Sequence, residues 1–225
     1  LIIGKNRKIF LLTKKEKAIN LIKERKLSKN EIINPLNFEK LIYNFDGKKF
    51  IIDPLSCSLH YEKIISSKFE ILKKRDPCYK LKSIKNLDEI NHMVNAHVED
   101  GVALTKFIYW IKNVNKKKIT EIDAKNKLES YRKLNKNYLF PSFSTIAGTG
   151  SNGAIVHYRV SKKSNKTILK NHLFLCDSGG QYKYGTTDVT RTLCFSKQSI
   201  STKNIFTKVL KGHIAVAKAN LNKFN

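Results

Sequence analysis

A chain of 225 residues is long enough for one large domain or for parts of two, and 41% hydrophobic residues exclude wholesale disorder. The net charge of +26 raises nucleic acid or an anionic membrane as partners, yet only six of the 44 basic residues are arginine and no aromatic-plus-basic stacking platform stands out, so dedicated nucleic-acid binding is not expected. No apolar run reaches membrane-span length, no leader pattern is visible, and four scattered cysteines form no CxxC pair, which predicts a cytoplasmic protein with reduced, mostly buried thiols.

In chain order, Lys8–Thr13 reads as a short strand and Asn30–Leu36 as a second, closed by Pro35. Asn37–Asn44 reads as a helix, Lys49–Ile52 as a third strand, and a helix follows over Cys57–Ser66. This alternation predicts an α/β (α+β) layer arrangement. Asp76-Pro77 breaks the pattern, so a domain boundary is predicted at residues 78–79. A long helix then spans Asn86 to Lys112, with Ile90, Met93, Val94, His97, Val98, Leu104, Ile108 and Ile111 as its apolar stripe. His97 on that stripe reads as a core histidine, and Gly101 as a point of close packing. Thr120 and Asp123 fit a capping box for the next helix, whose inner face is Ala124, Leu128 and Tyr131. Strands are predicted at Ile155–Val160, Leu173–Asp177 and Thr186–Phe195, and a last helix at Lys203–Ala219.

The chemistry concentrates between Leu173 and Phe195. Period-two geometry puts Leu173, Leu175 and Asp177 on one strand face, and Asp188, Thr190 and Thr192 on one face of the returning strand. An antiparallel pair can therefore bring Asp177 and Asp188 together. Two crowded carboxylates repel unless a proton or a cation intervenes, and hard oxygen ligands suit manganese, magnesium or calcium. By spacing alone the better reading is an ordinary hairpin whose aspartates serve as turn and capping residues.

Asp177-Ser178-Gly179-Gly180-Gln181-Tyr182, followed by Gly185-Thr186-Thr187-Asp188-Val189-Thr190-Arg191-Thr192, resembles the signature of the aminopeptidase P (Xaa-Pro aminopeptidase) enzymes, whose catalytic domain has the pita-bread fold. Ser142-Phe143, Thr145 to Gly148, Asn152 to Ile155, His157-Tyr158, and Asp100 to Leu104 on the long helix extend the resemblance. It implies that residues 79–225 form the first half of a pita-bread domain and that residues 1–78 are the remnant of a preceding creatinase-N-like α/β domain. It also implies roles. Asp177 would ligate one ion of a dinuclear, most often manganese, site, and Asp188 would bridge both ions. His157 would contact substrate near the scissile peptide. Tyr182 and Arg191 would support the hairpin. His60, His92, His172 and His213 carry no such match and read as structural or surface residues.

The family site draws on two Asp, a His and two Glu, and the last three ligands lie much further along such chains. The resemblance therefore places the general-base Glu beyond Asn225, and the metal site in this chain is expected to be incomplete. The implied activity is release of the N-terminal residue from peptides with proline in second position, by an enzyme expected to be a homodimer when complete. The alternative expectation is a truncated, inactive relative acting at most as a binding module.

Overall fold

The computed structural model describes residues 1–4, 8–114 and 119–220. They fall into two units, Leu1–Ile84 and Lys85–Asn225. The first contains β1 (Ile2–Ile3), β2 (Ile9–Leu12), α1 (Ile19–Lys23), β3 (Ile32–Ile33), α2 (Phe38–Tyr43), β4 (Lys49–Ile52), α3 (Leu59–Ser66), β5 (Glu70–Lys73) and α4 (Pro77–Ser83). β2 pairs antiparallel with β1 and parallel with β3, while β4 and β5 pair parallel. A parallel pair needs a crossover, and α3 supplies it between β4 and β5. Phe38, Ile42, Ile52, Ile65 and Phe69 form this unit's core.

The units divide at Ile84–Lys85, later than the boundary read from the sequence. Asp76 is the reason: its side chain accepts from the Cys78 N–H and Pro77 opens α4, so the Asp-Pro pair starts a helix of the first unit instead of ending that unit.

The second unit runs α5 (Leu87–Asn113), α6 (Glu121–Arg132), β6 (Tyr138–Pro141), β7 (Ile146–Thr149), β8 (Phe174–Ser178), β9 (Gly180–Tyr182), β10 (Val189–Leu193) and α7 (Ile200–Ala217). Capping boxes open α5 (Asn86 with Glu89) and α6 (Thr120 with Asp123). β8 is the central strand of a three-stranded antiparallel sheet, between β7 and β10, and β6 pairs with β9. Leu104, Phe107 and Ile111 of α5, Ala124 and Leu128 of α6, and Ala147, Phe174 and Cys176 of the sheet make one core. α7 buries none of its residues and exposes Ile205, Phe206 and Val209.

The buried face of α5 differs from the predicted stripe. Ala96, Asp100, Ala103, Leu104, Phe107 and Ile111 point inward, whereas Ile90, Met93, Val94 and Val98 are exposed. His97 is exposed too, its Nδ1 lying 2.8 Å from the Met93 carbonyl oxygen, so it is no core histidine. A Cβ on Gly101 would meet open space, so that glycine is not a close-packing point. The inward face keeps Leu104 and Ile111 of that stripe and adds small residues and Asp100, for which α6 supplies a partner in Arg132. The thiols also depart from expectation: Cys176 is buried, but Cys78 and Cys194 are exposed. Among the described residues, no helix is long and apolar enough to cross a membrane.

Candidate functional site

The burial of β8 alternates. Phe174, Cys176 and Ser178 face inward, which leaves Leu175 and Asp177 on the opposite, half-buried face. β10 lies antiparallel with Thr190 opposite Asp177 and Val189 opposite Ser178. Asp188 immediately precedes β10, one residue outside it rather than within a strand from Thr186 to Phe195. Continued two residues back from Thr190, the strand period would set Asp188 diagonal to Asp177, a spacing of ~7–8 Å in a regular antiparallel pair. Asp188 is exposed. Asp177 Oδ1 is buried and has no hydrogen-bond partner. A buried carboxylate oxygen without a donor costs at least about 1–3 kcal/mol, so this position is suited to an external cation. Among the described residues, no group of three or more His, Cys, Asp or Glu side chains could hold a metal ion.

The turn between β8 and β10 is held by backbone approach that only glycine allows. A Cβ on Gly179 would overlap the Thr187 carbonyl oxygen and Ser142 Oγ. In that space Ser142 Oγ donates to the Thr187 carbonyl at 2.9 Å, and the Gly180 N–H donates to Thr187 Oγ1 at 2.9 Å. These contacts fix the residue preceding Asp188.

Behind Asp177 sits a buried ionic network. Arg132 Nε donates to Asp100 Oδ1 at 2.6 Å and Nη2 to Oδ2 at 3.1 Å, with both side chains almost fully enclosed. Nη2 also reaches Ser178 Oγ at 3.0 Å, and the Tyr182 hydroxyl donates to Asp100 Oδ1 at 2.9 Å. Burial opposes the Arg132 charge, yet the Asp100 carboxylate outweighs it and holds the guanidinium above the usual arginine range. Burial, reinforced by Asp100, raises the Tyr182 phenol. Burial also pushes the Cys176 thiol up to about 12, with Arg132 working against it. Arg132 went unnoticed in the sequence. Its signal was there: an arginine four residues past Leu128 continues the inner face of α6. Arg191, by contrast, is exposed and donates to the Thr190 carbonyl at 2.8 Å.

His157 lies elsewhere than predicted. Residues 155–160 form no strand; a 3-10 helix, Gly150–Ala154, leads into a turn closed by the Tyr158 N–H donating to the Ile155 carbonyl at 3.2 Å. His157 is exposed at a φ of 53°, the third turn position, where a type II turn demands positive φ and usually takes Gly or Asn. The alternation Ile-Val-His-Tyr-Arg-Val imitates a strand, but the Asn152-Gly153 pair upstream lets the chain coil first. Gly148 permits this by touching Gly153, since a Cβ there would come within 2.9 Å of its backbone.

The model of metallopeptidase family M24 matches residues 91–222. The chain is 40% identical over 182 residues to the Xaa-Pro aminopeptidase ApepP of Drosophila melanogaster, covering 80% of this chain and 29% of that protein. It is 46% identical over 145 residues to a probable Xaa-Pro aminopeptidase P of Podospora anserina, covering 63% of this chain and 21% of that one. The chain thus spans less than a third of the curated relatives it matches. Among solved structures it resembles the X-prolyl aminopeptidase of Caenorhabditis elegans, described as a cytosolic enzyme with a di-nuclear active site: TM-score 0.69, 26% identity, 83% of this chain and 31% of that chain. An Xaa-Pro dipeptidase from Bacillus anthracis superposes equally well, TM-score 0.69 at 21% identity over 87% of this chain and 55% of that chain, a likeness of fold alone.

Proposed function

From the premise that this chain belongs to metallopeptidase family M24, with a mixed α/β architecture of the pita-bread type, we propose that it is part of a metal-dependent aminopeptidase releasing the N-terminal residue from peptides with proline in second position. The observation that carries this reading is the buried, donorless Oδ1 of Asp177 on the strand that pairs with β10, which Asp188 immediately precedes. Asp177 would hold one divalent ion and Asp188 would bridge two, manganese being the ion we propose. Such ions, when bound, supply Lewis-acid polarisation and a water of lowered pKa. An Xaa-Pro bond lacks the amide N–H that ordinary backbone recognition uses, so a dedicated site is needed. His157, exposed and held at positive φ, is our candidate for a substrate contact there.

Two carboxylates make a weak site, so the remaining ligands and the general-base Glu are proposed to come from beyond residues 1–225. The exposed apolar residues of α7 and the small share of each relative that the chain covers support a larger catalytic domain. We further propose that residues before the catalytic unit derive from a creatinase-N-like domain, that the complete enzyme is a homodimer, and that it resides in the cytoplasm, in keeping with the four free thiols and the cytosolic worm relative. The lack of a third ligand among the described residues favours one rival, an inactive relative.

The full-length protein from its source decides between them. With added Mn²⁺ it should cleave Xaa-Pro peptides, and longer peptides should be preferred over Xaa-Pro dipeptides. Asp188→Ala should abolish turnover and Mn²⁺ binding, and His157→Ala should lower kcat while sparing metal content. Retained turnover in Asp188→Ala would sink the metal assignment. A native mass near 25.9 kDa with no turnover would establish the inactive relative.

A further inference from the structure

One buried carboxylate in the second unit has no part in the proposed metal site. Glu121, the first residue of α6, is fully enclosed. Its Oε1 accepts from the Thr149 N–H at 2.8 Å and lies 3.0 Å from Asn152 Nδ2. Its Oε2 accepts from the Lys166 N–H at 3.2 Å and lies 2.9 Å from the Tyr158 hydroxyl and 3.1 Å from Asn152 Nδ2. None of these partners is a cation; the carboxylate is solvated by neutral donors alone, and those donors come from one stretch of chain.

Their order along that stretch matters. Thr149 and Asn152 precede the turn at Ile155–Tyr158, Tyr158 closes it, and Lys166 returns from it. Asn152 Nδ2 also lies 2.8 Å from the Tyr158 hydroxyl and 3.0 Å from the Ser164 carbonyl, so both ends of the loop meet on the same side chains. Within the loop, Ile155, Val156 and His157 are exposed, and His157 has a φ of 53°. A non-glycine residue in that region costs about 1–3 kcal/mol and persists only where surrounding structure over-determines it. The inner side provides that over-determination.

The geometry points to Glu121 as the positioning residue of this site: its buried carboxylate clamps residues 149–166 and thereby holds His157 in the left-handed turn that presents the imidazole to a peptide substrate. This rests on the reading of His157 as a substrate contact. Both Glu121 oxygens must accept, so Glu121→Gln is a demanding change of the same shape: it turns one acceptor into a donor facing other donors.

The test uses amide hydrogen exchange and histidine side-chain NMR on the full chain, neither of which needs turnover. Glu121→Gln should speed exchange at Thr149, Ile155, Tyr158 and Lys166 by about tenfold or more and should shift or broaden the His157 ring signal. His60, His92 and His213 should keep their signals. Tyr158→Phe, which removes one partner and carries less risk to folding, should give the same pattern at about two- to tenfold. Should Glu121→Gln not fold, Tyr158→Phe decides. Unchanged exchange and an unchanged His157 signal would overturn the inference, and so would acceleration spread equally over β7, β8 and β10. Cleavage of Xaa-Pro peptides by the parent enzyme is measured separately, so failure of the peptidase reading is distinguishable from failure of the clamp.

Discussion

Both units bury carboxylates, but they use them differently. In the first unit Asp53 accepts from the N–H groups of Leu55 and Asp76, at 2.8 and 2.9 Å, and joins the end of β4 to the start of α4. Its hydrogen-bond partners among the described residues are these backbone groups, with Arg75 adding a weaker electrostatic pull, and the unit's core is a small apolar cluster. In the second unit Asp100 meets Arg132, Ser178 lies against the same guanidinium, and Glu121 gathers four residues from Thr149 to Lys166. Those contacts join elements distant in sequence, and they take in Ser178 and Tyr158, the chain neighbours of Asp177 and His157. Buried polar networks of this kind contribute little net stability beyond apolar packing, but they penalise alternative arrangements because every unmade bond is costly. The contrast teaches where uniqueness of geometry is imposed: around the candidate site, and much less in the unit that precedes it.

The contrast breaks most sharply at Arg132. Arg132→Ala leaves Asp100 buried without its cation and should cost about 3–5 kcal/mol, read as a lower denaturant midpoint for the second unit while the first unit's transition holds. A smaller effect is expected from Ile65→Val in the first unit's apolar cluster. It should cost about 0.5–1.5 kcal/mol in the same titration, because one methyl group leaves a core with no polar network to disturb.

Acid sharpens the comparison further. The N–H groups of Asp76 and then Leu55 hold the Asp53 carboxyl below its usual range, although burial opposes them. A folded-state pKa below the unfolded value of about 3.9 contributes stability above that value, and the contribution is lost as pH falls through the lower folded pKa. Acid unfolding of the first unit should therefore become less pH-dependent in Asp53→Asn, and an unaltered acid limb would refute this assignment. The mildest test is chemical. Cys176, buried and pushed up to about 12, should resist alkylation at neutral pH while exposed Cys194 reacts.

How much of this was legible beforehand depends on the range of the interaction involved. Strand Lys49–Ile52 and the capping box at Thr120–Asp123 follow from neighbouring residues, and both stand as read. β7 escaped notice because Ala147 and Gly148 carry no strand signal; the strand exists because β8 pairs with it and Gly148 admits Gly153. The face of α5 does not follow from its apolar residues, because Asp100, the residue that α6 meets, turns inward.

For the candidate site the division is similar. The order of Asp177, the glycines and Asp188 is a property of the chain, and it makes an antiparallel return with the two carboxylates near each other a reading open from sequence. That Asp177 Oδ1 is buried without a donor, that His157 sits in a left-handed turn and not a strand, and that Glu121 and Arg132 stand behind them are decided by tertiary packing. The physical reason is that propensity and periodicity act over a few residues, whereas the donors and cations that satisfy a buried charge come from segments tens of residues away, and only the folded chain brings them within reach.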